Sequence, residues 1–270
     1  MSTDSFSFTN LRLAVLIDAE NVPRNCIKSV MEELAIYGTP TIKRIYGDWT
    51  NPSMSGWKQS LLENAITPIQ QYSYTTGKNS SDSAMIIDAM DVLYSGNTDG
   101  FVLVSSDSDF TRLAIRLREA GQRVIGVGER KTPGPFIAAC DKFTYIEVIR
   151  AKAAEERSAI EAEQPHKTAV HREKHPTKPR AAKMPDAKVP DSVINMIADS
   201  ISDLADDNGL VFMGELGNLI LKKQPDFDHR IYGYKSLSAL IKSVERFETD
   251  FRQTADPNIK HVYVKDKEAN

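Results

Sequence analysis

At 270 residues, with 41% hydrophobic and 26% charged side chains, the chain has room for two domains and the composition of an ordinary globular protein, which excludes fibrous, collagen-like and wholly disordered architectures. No run of 18 apolar residues is present, so no membrane span is expected. Met1-Ser2-Thr3-Asp4 begins no basic-then-apolar leader, and Cys26 and Cys140 lack metal spacing, which together read as a cytoplasmic protein with reduced thiols.

The net charge of −3 hides a division. Residues 1–149 carry 14 Lys/Arg against 17 Asp/Glu, residues 150–189 carry 10 against 6, and residues 190–265 carry 9 against 12. Two mildly acidic parts flank a basic connector. A protein that holds nucleic acid by bulk charge would be more basic, so any such function must come from local sites.

In chain order, Leu11–Ile17 predicts a buried strand. Pro23–Tyr37 places Ile27, Val30, Met31 and Leu34 on one helical face, with Gly38 ending the helix and Pro40 preventing its return. Thr41–Tyr46 predicts a strand, Trp57–Asn64 a helix, Thr67–Tyr72 a strand, and Ser83–Tyr94 a helix with Ile86, Ala89, Met90 and Leu93 inward. Phe101–Val104 predicts a buried strand, Phe110–Ala120 a helix closed by Gly121, Val124–Val127 a strand, and Phe143–Val148 a last strand. Near-continuous apolar strands alternating with helices predict an α/β, doubly wound parallel sheet with helices on both faces.

The connector, residues 150–189, begins as a charged helical extension, Ala151–Glu163. It then becomes rich in His, Lys and Pro and reads as a flexible solvated tether rather than a metal site for His166, His171 and His175. Beyond it, helices are predicted at Ser192–Ala205, Met213–Leu221 and Lys235–Val244, followed by strands at Phe247–Gln253 and Lys260–Lys265. Three helices and a hairpin in residues 190–265 form a small winged-helix pattern.

The placement of aspartates points to chemistry. Asp18 directly follows the first strand; Asp107 and Asp109 closely follow Phe101–Val104. In a 3-2-1-4-5 strand order those two strands are neighbours, and their carboxyl ends face one crevice at the switch point. Asp82, opening a helix, sits over the same rim. Crowded carboxylates repel, and a hard divalent cation, Mg²⁺ or Mn²⁺, is the simple compensation. The implied chemistry is phosphodiester hydrolysis by metal-activated water. Some of these residues also have a plainer reading, though Asp18, at the tip of a buried strand well before Pro23, is harder to explain as a cap. Asp82 and Asp109 each precede a helix and could be N-caps. Asn21 could cap the first helix or orient a metal-bound water. Asp48 is open to either role. Asp88, six residues after Asp82 and about 240° around the helix, reads as structural. Asp107-Ser108-Asp109 is also a DxD, which occurs in phosphatases and glycosyltransferases. No phosphate loop or complete dinucleotide fingerprint is present.

The blocks LIDAEN (16–21), IYGDW (45–49), GKNSSDSAMIIDAMD (77–91) and LVSSDSDF (103–110), with Gly121–Gly128 and Thr132-Pro133, resemble a NYN domain of the PIN-like, LabA-type group. GLVFMGELGNLI (209–220), Pro225 with Phe227, GYKSLSALI (233–241) and HVYV (261–264) resemble an OST-HTH, or LOTUS, domain. The first resemblance implies a PIN-like, metal-dependent ribonuclease in residues 1–149 with Asp18, Asp82, Asp107 and Asp109 as ligands and Asn21 beside them. The second implies RNA binding, or a protein partner, in residues 190–265. Candidate RNA contacts are Lys78 and Asn79 near the cleft, Arg130 and Lys131 after the fifth strand, and Tyr234, Lys235 and Lys242 around the third C-terminal helix, with Arg246 after it. Trp49, Tyr72 and Tyr74 are candidates for base stacking or for packing. The alternatives are a non-catalytic RNA-binding adaptor and a phosphotransfer enzyme acting on a small substrate.

Overall fold

The computed structural model describes residues 11–72, 80–163, 189–253 and 260–269, and the described chain forms two compact units. The larger sheet has six strands: β1 Leu11–Asp18, β2 Gly38–Gly47, β3 Thr67–Gln70, β4 Gly100–Val104, β5 Arg123–Gly128 and β6 Lys142–Tyr145. Their order is β3-β2-β1-β4-β5-β6, and every neighbouring pair is parallel. This is a doubly wound α/β sheet whose strand order reverses between β1 and β4.

The strand side chains alternate between two cores. Leu13, Val15, Ile17, Val102, Val104, Ile125 and Val127 face one side, where helices α1 (Ile27–Leu34), α2 (Lys58–Asn64) and α6 (Ile146–Glu163) cover them. Ala14, Leu16, Phe101, Leu103 and Val124 face the other, under α3 (Ser80–Ser95), α4 (Thr111–Glu119) and α5 (Gly134–Ala139). Burial on both faces explains the unbroken apolar runs. Each large apolar side chain so buried contributes about 1.5–3 kcal/mol.

Several boundaries differ from the sequence reading. The first helix is shorter, a 3₁₀ turn Arg24–Cys26 leading into α1. Gly38 and Pro40 belong to β2 rather than to a helix stop. A Cβ on Gly38 would lie 2.2 Å from the Leu11 carbonyl oxygen, so this close approach requires glycine. Pro40 is accommodated at an irregularity: Leu13 pairs with Pro40 and Ala14 with Ile42, which leaves Thr41 as the extra residue of a bulge. Helix α3 starts three residues before Ser83, so Asp82 lies within its first turn. Its deepest face is Met85, Ala89 and Val92, with Ile86, Met90 and Leu93 half-buried against the same core. The strand expected over Phe143–Val148 stops at Tyr145. Ile146 and Ile149 are buried at helical spacing, so the helix expected from Ala151 begins at Ile146. The short helix α5 carried no periodicity long enough to read.

The second sheet is antiparallel, with β7 (Val211–Phe212), β8 (Phe247–Gln253) and β9 (Lys260–Asp266) in the order β7-β9-β8. Helices α7 (Asp191–Leu204) and α9 (Leu237–Lys242) belong to the same unit, whereas α8 (Met213–Lys223) is grouped with the larger one from Gly214 onward. Helix α7 buries Val193, Ile197, Ala198 and Ile201, and α8 buries Leu216 and Ile220. Helix α9 begins two residues later than expected because the Ser236 side chain caps it, accepting from the Ala239 N–H. Strand β7, two residues long, was not legible in the pattern. The His/Lys/Pro-rich part of the connector, residues 164–188, lies outside the described residues. Among the described residues no helix is long and apolar enough to cross a membrane.

Candidate metal centre

Parallel pairing of Ile17 with Val104 brings the carboxyl ends of β1 and β4 side by side. Asp18, at the tip of β1, is 2% exposed. Its carboxylate accepts from the Glu20 N–H at 3.0 Å, the Asn21 Nδ2 at 2.7 Å and the Ser105 Oγ at 2.8 Å. Ser105, immediately after β4 and fully buried, in turn accepts from the Asp107 N–H at 3.1 Å. The two strand ends are thereby stitched together. Asn21 does not cap the first helix; the N-cap position of the 3₁₀ turn is Pro23. Ser105 was missed from sequence, although two serines directly after a four-residue apolar strand mark a buried polar turn.

Asp107 is the residue with cap geometry: it precedes a 3₁₀ turn, Ser108–Phe110, and accepts from the Asp109 N–H at 2.9 Å. The plainer reading given to Asp109 therefore belongs to Asp107. Neither Asp82 nor Asp109 occupies an N-cap position; each lies in the first turn of its helix.

Asp82, Asp107 and Asp109 converge. One carboxylate oxygen from each lies within 4.8 Å of the others. Asp18 is not one of these three, yet its charge bears on Asp82. The Asp82 carboxyl is pushed up to about 6, first by burial and then by the negative charges of Asp18, Asp107, Asp109 and Glu20. Three hard oxygen donors from a strand-end turn and a helix start, in a field that resists further negative charge, fit an oxygen-ligated divalent cation.

The remaining candidates divide. Asp88 does not join the cluster; its carboxylate accepts from the Arg44 guanidinium and the Tyr46 hydroxyl on β2, which fixes the middle of α3 to the sheet. Asp48 accepts from Thr50 and from the Gln70 amide, holding the turn after β2. The Trp49 indole N–H donates to the Ile69 carbonyl at 2.9 Å and its ring packs on the core, so it is a packing residue. Tyr72, just past β3, is 56% exposed. Arg130 is exposed on the loop after β5, its N–H held by the Glu147 carboxylate at 3.1 Å. Lys131 pairs with Glu129 at 2.6 Å. Lys78, Asn79 and Tyr74 lie outside the described residues.

In the second unit, Tyr234 and Lys235 lie in the turn before α9 rather than on the helix, and only Lys242 is on it. The Lys242 ammonium stands 4.5 Å from the centre of the Phe251 ring. Arg246 is committed to the buried Asp266, with contacts of 2.7–3.0 Å, and to Glu268.

The NYN domain family model matches residues 12–147, and the OST-HTH/LOTUS domain model matches residues 186–259. An uncharacterized protein of Methanocaldococcus jannaschii is 26% identical over 160 residues, which cover 58% of this chain and 62% of that protein, so the chain spans less than two thirds of that relative's length. The crystal structure of a protein of unknown function from Vibrio parahaemolyticus is 20% identical, with a TM-score of 0.44, covering 54% of this chain and 96% of the other. The solution structure of an uncharacterized protein from Nitrosomonas europaea is 30% identical, with a TM-score of 0.26, covering 40% of this chain and 90% of the other.

Proposed function

This chain belongs to the NYN-domain family and carries an OST-HTH/LOTUS domain, and from that premise we propose that it is a cytoplasmic, metal-dependent ribonuclease, an endonuclease in which the C-terminal domain holds RNA. The observation that carries the reading is the convergence of Asp82, Asp107 and Asp109 beside the buried Asp18 at the strand ends. Asp82, Asp107 and Asp109 would hold one Mg²⁺ or Mn²⁺. Bound there, the ion supplies Lewis acidity toward a phosphate oxygen and lowers the pKa of a water.

The chain's own groups do the rest. Asp18 is held in place by three donors, one of them Asn21. A carboxylate beside the three favours a cation and disfavours an unaccompanied phosphate. Arg130, exposed on the loop after β5 with its backbone N–H donating to Glu147, would meet backbone phosphate. Tyr72 offers an exposed ring for stacking on an unpaired base. In the second domain, Tyr234, Lys235 and Lys242 remain the candidate RNA contacts.

The test is incubation of the full chain with labelled single-stranded and structured RNA in Mn²⁺, Mg²⁺ or EDTA. Internal cuts that require metal and fall by a hundredfold or more, a typical loss for one well-placed electrostatic group, in Asp82→Asn support the reading. Metal-independent RNA binding without cutting in the folded wild type would instead establish the adaptor.

A further inference from the structure

Glu20 was given no role by the sequence. It is two residues past Asp18 in the turn that follows β1, and it touches both halves of the site. Its backbone N–H donates to Asp18 Oδ1 at 3.0 Å. Its side-chain Oε1 accepts from the hydroxyl of Ser81 at 3.1 Å. Ser81 is 5% exposed and immediately precedes Asp82 in the first turn of α3. The middle of α3 is tied to β2 through Asp88 with Arg44 and Tyr46. Its first turn is tied to the tip of β1 through Ser81 and Glu20. Asp18 is fixed by the sheet, so this second tie sets where the first turn of α3 stands relative to Asp107 and Asp109.

The choice of acceptor is informative. A carboxylate at position 20 adds negative charge to a cleft already crowded with it, and its charge is among those bearing on Asp82. A neutral acceptor would make the same bond without that repulsion. The contact is therefore made at an electrostatic cost, in the manner of groups around metal ligands that fix ligand orientation.

We propose that Glu20 is a positioning residue: through Ser81 it holds Asp82 at the spacing from Asp107 and Asp109 that a single cation requires. The proposal rests on the metal-site reading above and adds to it a residue that touches neither the cation nor the RNA. Glu20→Ala and Ser81→Ala each remove the strut, whereas Glu20→Gln keeps an oxygen acceptor in place.

The experiment uses the full chain and two measurements, Mn²⁺ titration by calorimetry and hydrogen–deuterium exchange of the amides in the first turns of α3. Both alanine variants are expected to bind Mn²⁺ about tenfold more weakly, the lower end of the usual effect of such supporting groups. They should also exchange faster at the start of α3 with the rest of the unit unchanged. The double variant should be no weaker than either single one, because both remove one shared contact. Glu20→Gln should restore both affinity and protection. Faster exchange with wild-type Mn²⁺ affinity in the alanine variants, or unchanged exchange in both, overturns the positioning role. A Glu20→Gln variant as weak as Glu20→Ala overturns it as well, since charge rather than the strut would then matter. Wild-type protein that takes up no Mn²⁺ overturns the metal-site reading itself, an outcome read from the unmutated chain and so distinct from failure of the strut.

Discussion

Two aspartates on one helix have opposite surroundings. Asp82 faces other carboxylates, and its carboxyl is raised to about 6; Asp88 faces a guanidinium and a phenol. For Asp82 the folded-state value lies above the unfolded one near 4, so the folded protein holds the proton more tightly. The penalty for ionising it is absent below pH 4, grows as pH rises, and is complete above about pH 6. Asp82→Asn should therefore raise the melting temperature of metal-free protein at pH 7–8 and leave it unchanged near pH 4, as thermal melts across pH would show; a mutant that melts lower than wild type at pH 8 contradicts the crowding. Asp88→Ala should do the reverse of a catalytic change. It strips acceptors from Arg44 and Tyr46, the latter fully buried, and should cost about 1–3 kcal/mol of stability by denaturant titration. Cleavage by the protein that remains folded should persist. This division was legible in the sequence from helical phase alone, because six residues cannot return to the same face. The partners of Asp88 were not legible, since Arg44 and Tyr46 lie 44 and 42 positions away.

At the scale of elements, continuous apolar runs identified β1 and β4, because a strand buried on both faces has no polar positions to interrupt it. Elements whose boundaries depend on a neighbour were misread. Pro40 read as a helix stop, yet the bulge against β1 lets a strand pass through it. Ile146 read as strand, although what fixes it is the core under α6. Gly38 shows the same dependence, because its lack of a side chain is required by the Leu11 carbonyl and not by any local turn. Gly38→Ala should cost about 1–3 kcal/mol through forced displacement of backbone, measured by urea titration. An alanine variant as stable as wild type would show that the start of β2 can move away from β1 without loss.

At the scale of the whole molecule, net charge limits how RNA can be held. With a formal charge of −3 and five candidate cations, Lys78, Arg130, Lys131, Lys235 and Lys242, the chain has few groups with which to release counterions. The affinity for single-stranded RNA should therefore fall with salt along a log–log slope of about −3.5 or shallower, at about −0.7 per phosphate neutralised. Fluorescence anisotropy from low to moderate salt measures it. A slope twice as steep would assign much of the binding to the basic connector.

The sequence by itself determined the layer order of the large sheet, the division into a NYN part and an OST-HTH part, and the set of aspartates at strand and helix ends. All of these are local patterns, written in residue type and spacing along a few turns of chain. Only the tertiary structure decided which aspartates share a point in space. It grouped Asp82, Asp107 and Asp109, buried Asp18 in bonds to Asn21 and Ser105, and joined Glu20 to Ser81 across 61 positions. Periodicity specifies which face of an element a residue occupies. The distance between oxygens contributed by different elements is fixed by strand pairing and core packing, which involve residues far apart in the chain.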